Sequence, residues 1–409
     1  MRPLAQKQPG IPAQQLQGRM VAMNGGALVA EAMRQINPDV VAAYPITPQT
    51  ILMEGFSQFV ADGLVDTEFV TVESEHAALS TLIGASAAGA RTQSGTSGAG
   101  LAFMWELLWC AAGMRLPIVI HLVTRSLSAP LNILSDHTDA MGARDTGWVQ
   151  LFAEDGTEAY DNAIQAVRIA EHPDVLLPVM SAQDGFQISH SVERAQLLSD
   201  DAVRAFVGQY VPQHSLLDVD HPATFGPNDD RYYFALHRHA QFAAMDNALP
   251  VILEVGRQYG ELSGRSYGAF ESYRLEDADY AVVLMGSAAG AARLAVDRLR
   301  EQGIRAGLLK LRVFRPFPAA LVAQALQGKR AVAAMDKCAV FGSQGGPLFL
   351  DIATCLMVSG AAPFGMLDYV YGLGGRDLMP EHVELVFREL QAVDGGADAD
   401  PVQRFLGLE

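Results

Sequence analysis

Cysteine is scarce in this chain. Cys110, Cys338 and Cys355 are the only three among 409 residues, they lie far apart, and no C-x-x-C pair occurs. The chain alone therefore cannot hold a four-cysteine iron–sulfur cluster or a structural zinc, and its cysteines read as buried apolar residues in a reducing compartment. Positive charge is also short: 29 Lys and Arg against 46 Asp and Glu leave a formal charge of −17. That excludes nucleic acid and an anionic membrane as partners, because both require a basic face. The most apolar stretch, Gly98 to Met114, contains Glu106 and falls short of the roughly 20 residues of a membrane span, so it reads as one buried helix. The first twenty residues carry Pro and Gln without the apolar core of a signal peptide, and a cytoplasmic location is expected. A Walker A lysine and a G-x-G-x-x-G fingerprint are both missing.

What is present is half hydrophobic, at 50% of residues, which excludes bulk disorder and suits two or three domains. After a loose N-terminal arm (residues 1–20), suited to wrap a neighbouring chain, helix and strand patterns alternate. Gly25–Ile36, Ile51–Ala61, His76–Ala88 and Thr157–His172 read as helices, and Val40–Tyr44, Phe69–Glu73, Leu116–Thr124 and Val175–Ser181 as strands. Strands apolar on both faces between helices indicate a parallel sheet covered on each side. From about Val192 to Leu253 the composition shifts to Gln, His, Asp, Pro and Tyr with little period, which reads as a linker or long excursion. A second unit then follows: strand Tyr280–Met285, helix to Arg300, strand Gly307–Val313, strand Arg330–Asp336 and a helix from Gly346 to Val358. The expected fold class is α/β with two open parallel-sheet domains. Their boundaries are set at 1–20 for the arm, 21–195, 196–270 for the linker, 271–395, and 396–409 for a tail.

Three segments carry candidate chemistry. In Tyr44-Pro45-Ile46-Thr47-Pro48, two prolines bracket Thr47, restrict the backbone on either side of it and hold its hydroxyl on a rigid lip. Val72-Glu73-Ser74-Glu75-His76 sets a carboxylate at a strand end before an apolar helix, where ligands bind in open α/β sheets. Its alternative reading is a helix N-terminal acid stabilised by the dipole. Arg91 to Leu101 is a glycine-rich strand-to-helix turn whose backbone can approach a ligand closely. Asp136, His137 and Asp139 resemble metal ligands but read as a hydrogen-bonded turn, Arg144–Asp145 reads as a local ion pair, and no metal is expected in this chain.

The Tyr-Pro-Ile-Thr-Pro peptide, the Ser74-Glu75 pair, the Thr96-Ser97-x-x-Gly100-Leu101 turn and the stretch Gly113 to Trp148 together resemble the α subunit of the pyruvate:ferredoxin and 2-oxoacid:acceptor oxidoreductases, in particular the four-subunit type. The run Leu309 to Pro318, with Met335-Asp336-Lys337 and Gly345-Gly346-Pro347, is similar to that family's transketolase C-terminal-like domain. The resemblance implies a pyrimidine-binding thiamine-diphosphate fold in which Pro45, Glu75 and Thr96 contact the cofactor. Glu75 would be the catalytic carboxyl, bonded to the aminopyrimidine ring so that the ring can remove the C2 proton. Thr47 would bind the 2-oxoacid, and Arg125 would hold its carboxylate with paired donors. Glu73 and His76 are taken as structural, and the second domain as scaffold and subunit interface.

No Gly-Asp-Gly occurs in the chain, so the half-site for the diphosphate and Mg²⁺ is expected from a β subunit. The [4Fe-4S] clusters and CoA are likewise expected in partners: a γ subunit, a ferredoxin-like iron–sulfur subunit and, if the final acceptor is NAD, a flavin subunit. Pyruvate is the default substrate. Thr124, where the family often has Asn, and the aromatic run Met104 to Trp109 bear on side-chain selectivity, with an aryl or branched 2-oxoacid such as phenylglyoxylate as the rival. A non-catalytic assembly subunit and a non-redox thiamine-diphosphate enzyme are the other readings.

Overall fold

The computed structural model describes residues 17–408. The expected N-terminal arm lies outside the described residues up to residue 16, and its remainder begins strand β1 (Gln17–Asn24). Asn24 then caps helix α1 (Gly25–Ile36), its Oδ1 accepting from Ala27 N at 2.8 Å, a cap that contributes about 1 kcal/mol. Strand β2 (Val40–Ala43), α2 (Thr50–Ala61), β3 (Glu68–Thr71), α3 (Glu75–Ala87) and β4 (Thr92–Thr96) alternate as the pattern requires. The next segment departs from expectation. Instead of one buried helix over Gly98–Met114 there are two, α4 (Gly98–Phe103) and α5 (Trp105–Gly113), with Phe103 and Trp105 exposed. The run is apolar all round, and only the side carrying Leu101, Met104, Leu108 and Ala111 faces the core.

Strand β5 (Val119–Thr124), α6 (Thr138–Gly142), β6 (Val149–Phe152), α7 (Gly156–Ala170) and β7 (Val179–Asp184) complete the first unit. Strand β7 begins later than its apolar run suggests. The carbonyls of Val175 and Leu176 accept from the Arg115 guanidinium at 2.6 and 3.0 Å, so they are not available to a ladder.

Strand β8 (Val192–Leu198) pairs antiparallel with β1 in a two-stranded sheet, and α8 (Asp200–Val207) follows. The stretch expected as a linker of little period contains α9 (Arg231–Ser263), a 33-residue helix about 50 Å long. Asp230 caps it by accepting from Tyr232 N and Tyr233 N, and Gln241, Ala244, Ala248, Ile252, Val255 and Tyr259 form its buried stripe. Two features hide this helix in the sequence: Pro250 sits inside it, and its first ten residues are almost all exposed, so no period shows there.

Strand β9 (Phe270–Tyr273), β10 (Tyr280–Leu284), α10 (Ala289–Glu301) and β11 (Ala306–Leu311) open the second unit. The single strand expected over Gly307–Val313 divides at Arg312. Strand β11 stays in the second sheet, whereas β12 (Val313–Arg315) crosses to pair antiparallel with β6 as an edge of the first. Helix α11 (Ala319–Leu326), β13 (Ala331–Asp336), α12 (Pro347–Val358), β14 (Gly365–Val370), α13 (Pro380–Asp394) and β15 (Gln403–Phe405) follow. Helix α12 starts where the buried Asp336 carboxyl accepts from Leu348 N and Phe349 N at 2.9 and 3.0 Å.

The first sheet runs β12-β6-β7-β5-β4-β2-β3, parallel except for β12, and the second β15-β14-β13-β10-β11-β9, parallel except for β9. A buried polar seam fastens the crossing strand. Lys310 Nζ bonds both Glu158 oxygens at 3.0 and 2.9 Å, and Arg312 donates to Asn162 Oδ1 at 2.8 Å and to Gln165 Oε1 at 3.0 Å. One turn along α7, fully buried Asp161 accepts from Arg265, Tyr259 and Tyr267. Removing one member of such a buried pair costs about 3–5 kcal/mol, because its partner is left uncompensated.

Candidate active site

Four neighbouring parallel strands, β3, β2, β4 and β5, release Glu75, Thr47, Thr96 and Arg125 at or just beyond their carboxyl ends. The chain runs from β2 outward to β3 and then back across to β4, so the crevice between β2 and β4 is the topological switch point where ligands bind in such sheets. The sequence-identified residues are therefore side by side, although 78 residues separate Thr47 from Arg125.

Ser74 ends the extended segment and caps α3, its Oγ accepting from Ala77 N at 3.1 Å, which makes Glu75 the first helical residue and turns it inward. Glu73 is exposed and Glu75 buried: strand alternation would put positions two apart on one face, and it is the helix start at Ser74 that separates them. The Glu75 carboxyl makes no hydrogen bond or ion pair among the described residues. Thr96 is fully buried and its Oγ1 has no partner. Both face Gly100: a Cβ there would lie 2.7 Å from Glu75 Oε1 and 2.7 Å from Thr96 Oγ1. A buried carboxyl and a buried hydroxyl, both unsatisfied and converging on a glycine, form a cradle that fits a flat heterocycle with hydrogen-bonding edges. His76, half-buried, packs on Phe103 at 5.9 Å between ring centroids.

Arg125 is 8% exposed. Its Nη1 donates to the Thr47 carbonyl at 3.0 Å and its Nε to the Asn132 carbonyl at 3.3 Å, while Nη2 has no partner among the described residues. Its aliphatic stem lies on Gly98, where φ is +47° and a Cβ would meet Cδ at 2.9 Å. Thr47 and Pro45 are exposed, so the site opens at the surface of the chain. It is the Thr47 carbonyl, not its hydroxyl, that the arginine touches.

The Asp136, His137 and Asp139 side chains turn to separate partners. Asp139 Oδ2 accepts from Gly98 N at 2.8 Å and Arg125 N at 2.9 Å, so it ties together the two loops that hold the cradle and the arginine. Burial pushes its carboxyl up to about 8, against the pull of N–H donors from Arg125, Gly98 and Ala140. Asp136 accepts from Ser126 Oγ at 2.6 Å and Thr138 N at 2.9 Å. His137 Nε2 bonds Asp184 at 2.7 Å. The bridging role of Asp139 has no sequence signal, because Gly98 lies 41 residues away.

Other readings need correction. Trp109 stands against Arg238 of α9 at 5.4 Å, and Trp105 lies edge-on to Trp109, so these two aromatics of the run expected to bear on side-chain selectivity pack toward α9. Thr124 is turned inward, its hydroxyl 2.8 Å from Ser135 Oγ and 3.4 Å from Asp184. Cys338 and Cys355 are buried, but Cys110 is half-exposed. The expected Arg144–Asp145 ion pair is present, at 3.8 Å.

A family model for the thiamine-diphosphate-binding domain of pyruvate flavodoxin/ferredoxin oxidoreductases matches residues 31–257. The chain belongs to the pyruvate:ferredoxin oxidoreductase family. The model for that family's core domain II matches residues 278–383. Pyruvate synthase subunit PorA of Thermotoga maritima is 49% identical over 95% of this chain and 98% of the relative. PorA of Methanocaldococcus jannaschii is 41% identical over 91% and 95%. Ketoisovalerate oxidoreductase subunit VorA of Pyrococcus abyssi is 38% identical over 91% and 93%. Among solved structures, the 2-oxoglutarate:ferredoxin oxidoreductase of Magnetococcus marinus superimposes with a TM-score of 0.67 at 19% identity, over 90% of this chain and 65% of that one. An inactive split-gene transketolase tetramer gives 0.54 at 12% identity, over 91% of this chain and 100% of that one. At these identities the two structures establish the α/β fold, and the family assignment makes the chain part of a thiamine-diphosphate-dependent 2-oxoacid oxidoreductase complex with iron–sulfur partners. No helix among the described residues is long and apolar enough to cross a membrane.

Proposed function

We propose that this chain is the α subunit of a cytoplasmic pyruvate:ferredoxin oxidoreductase, which converts pyruvate and CoA to acetyl-CoA and carbon dioxide and passes two electrons to iron–sulfur clusters in partner subunits. The observation that carries this reading is the convergence of unsatisfied Glu75 and Thr96 on Gly100, in a chain aligned nearly end to end with pyruvate synthase subunits. Thiamine diphosphate, when bound, supplies the electron sink that permits loss of carbon dioxide. Glu75 would hydrogen-bond its pyrimidine, Thr96 and Pro45 would line that side, and Gly100 would allow close approach. Arg125 receives the substrate carboxylate through its uncommitted Nη2, and Thr47 borders the 2-oxo group.

Because no Gly-Asp-Gly occurs, the diphosphate and Mg²⁺ belong to a β subunit, with CoA and the clusters in γ and ferredoxin-like subunits. The domains follow residues 21–195 and 271–395, with 196–270 between them. A branched 2-oxoacid is the second reading, favoured by the ketoisovalerate relative.

The test is anaerobic purification of the complex through a tag on this chain, followed by CoA-dependent viologen reduction with pyruvate, 2-oxoisovalerate, 2-oxoglutarate and phenylglyoxylate. Pyruvate is expected to give the highest kcat/KM. A higher value for 2-oxoisovalerate or phenylglyoxylate would replace the substrate, and no reduction with any acid would reduce the chain to an assembly subunit. Turnover without electron transfer would make it a non-redox enzyme.

A further inference from the structure

The guanidinium of Arg125 is aimed by two carbonyls, and one of them belongs to a loop whose shape is set by the other domain. Asn132 O receives Arg125 Nε at 3.3 Å. The Asn132 side chain holds that loop in two directions: its Oδ1 accepts from Leu134 N at 2.7 Å, and its Nδ2 donates to Gly374 O at 3.1 Å. Gly374 lies in the glycine turn that follows β14, and its own N–H donates to Asp136 Oδ2 at 3.3 Å, at the far end of the same loop. The fit is close. Gly374 has φ +64° and a Cβ on it would come within 2.6 Å of Asn132 Nδ2, while a Cβ on Gly375 would come within 2.4 Å of Leu134 Cβ. Only a bare backbone in the left-handed region lets the loop lie down on this turn.

We infer that Asn132 and Gly374 are positioning residues for the substrate-carboxylate arginine, so that the second domain shapes substrate binding as well as acting as scaffold. This rests on the proposed role of Arg125. The loop between Ser126 and Asp136 has few other anchors: Ser135 Oγ lies 2.8 Å from Thr124 Oγ1 at its end, and the remaining bonds are internal, with the Ser126 N–H and hydroxyl both donating to Leu134 O and Asp136 accepting from Ser126 and Thr138. The internal bonds close the loop on itself and Ser135 ties its end to β5, whereas the Gly374 contact fixes where Asn132 sits. Without the Asn132–Gly374 bond the Asn132 carbonyl loses its fixed position, and Arg125 keeps only Thr47 O as a guide.

The experiment uses the assembled complex carrying Arg125→Ala, Asn132→Ala, Gly374→Ala or the double change Asn132→Ala with Gly374→Ala. Pyruvate KM, kcat and half-saturation by thiamine diphosphate are measured for each by CoA-dependent viologen reduction. Asn132→Ala is expected to raise KM about fivefold to tenfold, the size of one lost hydrogen bond, with kcat and cofactor half-saturation near wild type. Gly374→Ala should do the same, and the double variant should be little worse than either single one, because both remove the same contact. If Gly374→Ala fails to fold, Asn132→Ala alone carries the KM test. A wild-type KM in Asn132→Ala beside a raised KM in Arg125→Ala overturns the inference and leaves the arginine's role intact. A wild-type KM in Arg125→Ala overturns both. Equal losses of kcat and cofactor binding in Asn132→Ala would mean general loosening and also overturn it.

Discussion

The carboxyl ends of the two sheets obey the same topological rule and end up in opposite states. In the first sheet, the crevice between β2 and β4 is bordered by the Glu75 carboxyl, on a residue 7% exposed, and by the fully buried Thr96 hydroxyl, both without partners among the described residues. In the second, the corresponding crevice lies between β10 and β13, and it already holds a paired carboxylate from the first domain. The Asp184 carboxylate from the end of β7 accepts from Ser287 N at 3.0 Å, Ser287 Oγ at 2.5 Å and Lys337 Nζ at 2.9 Å, with His137 on its other oxygen. Gly286, at φ +74°, lets the chain come within van der Waals range of that carboxylate. One domain thus supplies the anion that its neighbour's switch point would otherwise take from solution. Position in the fold marks both crevices as sites; the second keeps the buried Tyr371 hydroxyl unpartnered but its carboxylate is paired, whereas the Glu75 carboxyl of the first has no partner among the described residues.

The largest test of this contrast is Glu75→Gln. It should leave the complex assembled, as judged by size-exclusion chromatography, and lower viologen-reducing kcat by roughly 10²–10⁴-fold, the usual contribution of a proton-transfer group. Wild-type turnover would show that the unsatisfied carboxyl is incidental. At the second crevice, Asp184→Ala should cost about 3–5 kcal/mol in urea unfolding, because Lys337 is left buried without a counter-charge. An unchanged midpoint would break the comparison from the other side. Gly100→Ala should raise the thiamine-diphosphate half-saturation about tenfold, since its Cβ intrudes on Glu75 and Thr96 by less than a hydroxyl's width. Unchanged cofactor binding would remove the cradle from the site.

The smallest effects are in pH dependence, and the two buried aspartates have opposite signs. Burial acts to raise the Asp184 carboxyl, but Lys337 and His137 outweigh it and hold the group well below the usual carboxylate range. Its stabilisation is therefore present above the unfolded value near 4 and is lost as pH falls through the folded one. Asp139, raised by burial to about 8, stabilises below about pH 4 and loses that contribution as pH rises to its folded value. Asp139→Asn should accordingly flatten the fall in stability between about pH 4 and 8, and Asp184→Asn should flatten the acid limb. Melting temperatures from below the ordinary carboxylate range up to about pH 8 decide both, and parallel profiles for the two variants would contradict the opposed burial and pairing.

The residues of the proposed site sit in short local patterns, which is why the sequence could nominate them. Tyr44 to Pro48, Ser74-Glu75 and Thr96 to Leu101 each join a strand end to a helix start, and the cap at Ser74 is a local event that turns Glu75 inward. The helix of 33 residues was not legible, because its exposed first third lacks a period and Pro250 reads as a breaker. The division of the expected strand at Arg312 was hidden for another reason: Lys310, Leu311, Arg312 and Val313 read as one extended run, and only the buried partners on α7 send Val313 to a different sheet.

The sequence by itself determined the α/β class and the alternation of elements in both units, because these depend on periodicity and on residues a few positions apart, and its family resemblance nominated Thr47, Glu75, Thr96 and Arg125 for the proposed site. The tertiary structure alone decided that Asp139 ties the Gly98 and Arg125 loops, that Asp184 is paired in the second crevice, and that Gly374 receives Asn132. Those bonds join residues 14 to 242 positions apart. A hydrogen bond over such separations is selected by which backbones the packed sheets bring within 3 Å or so of one another, and no local pattern encodes that distance.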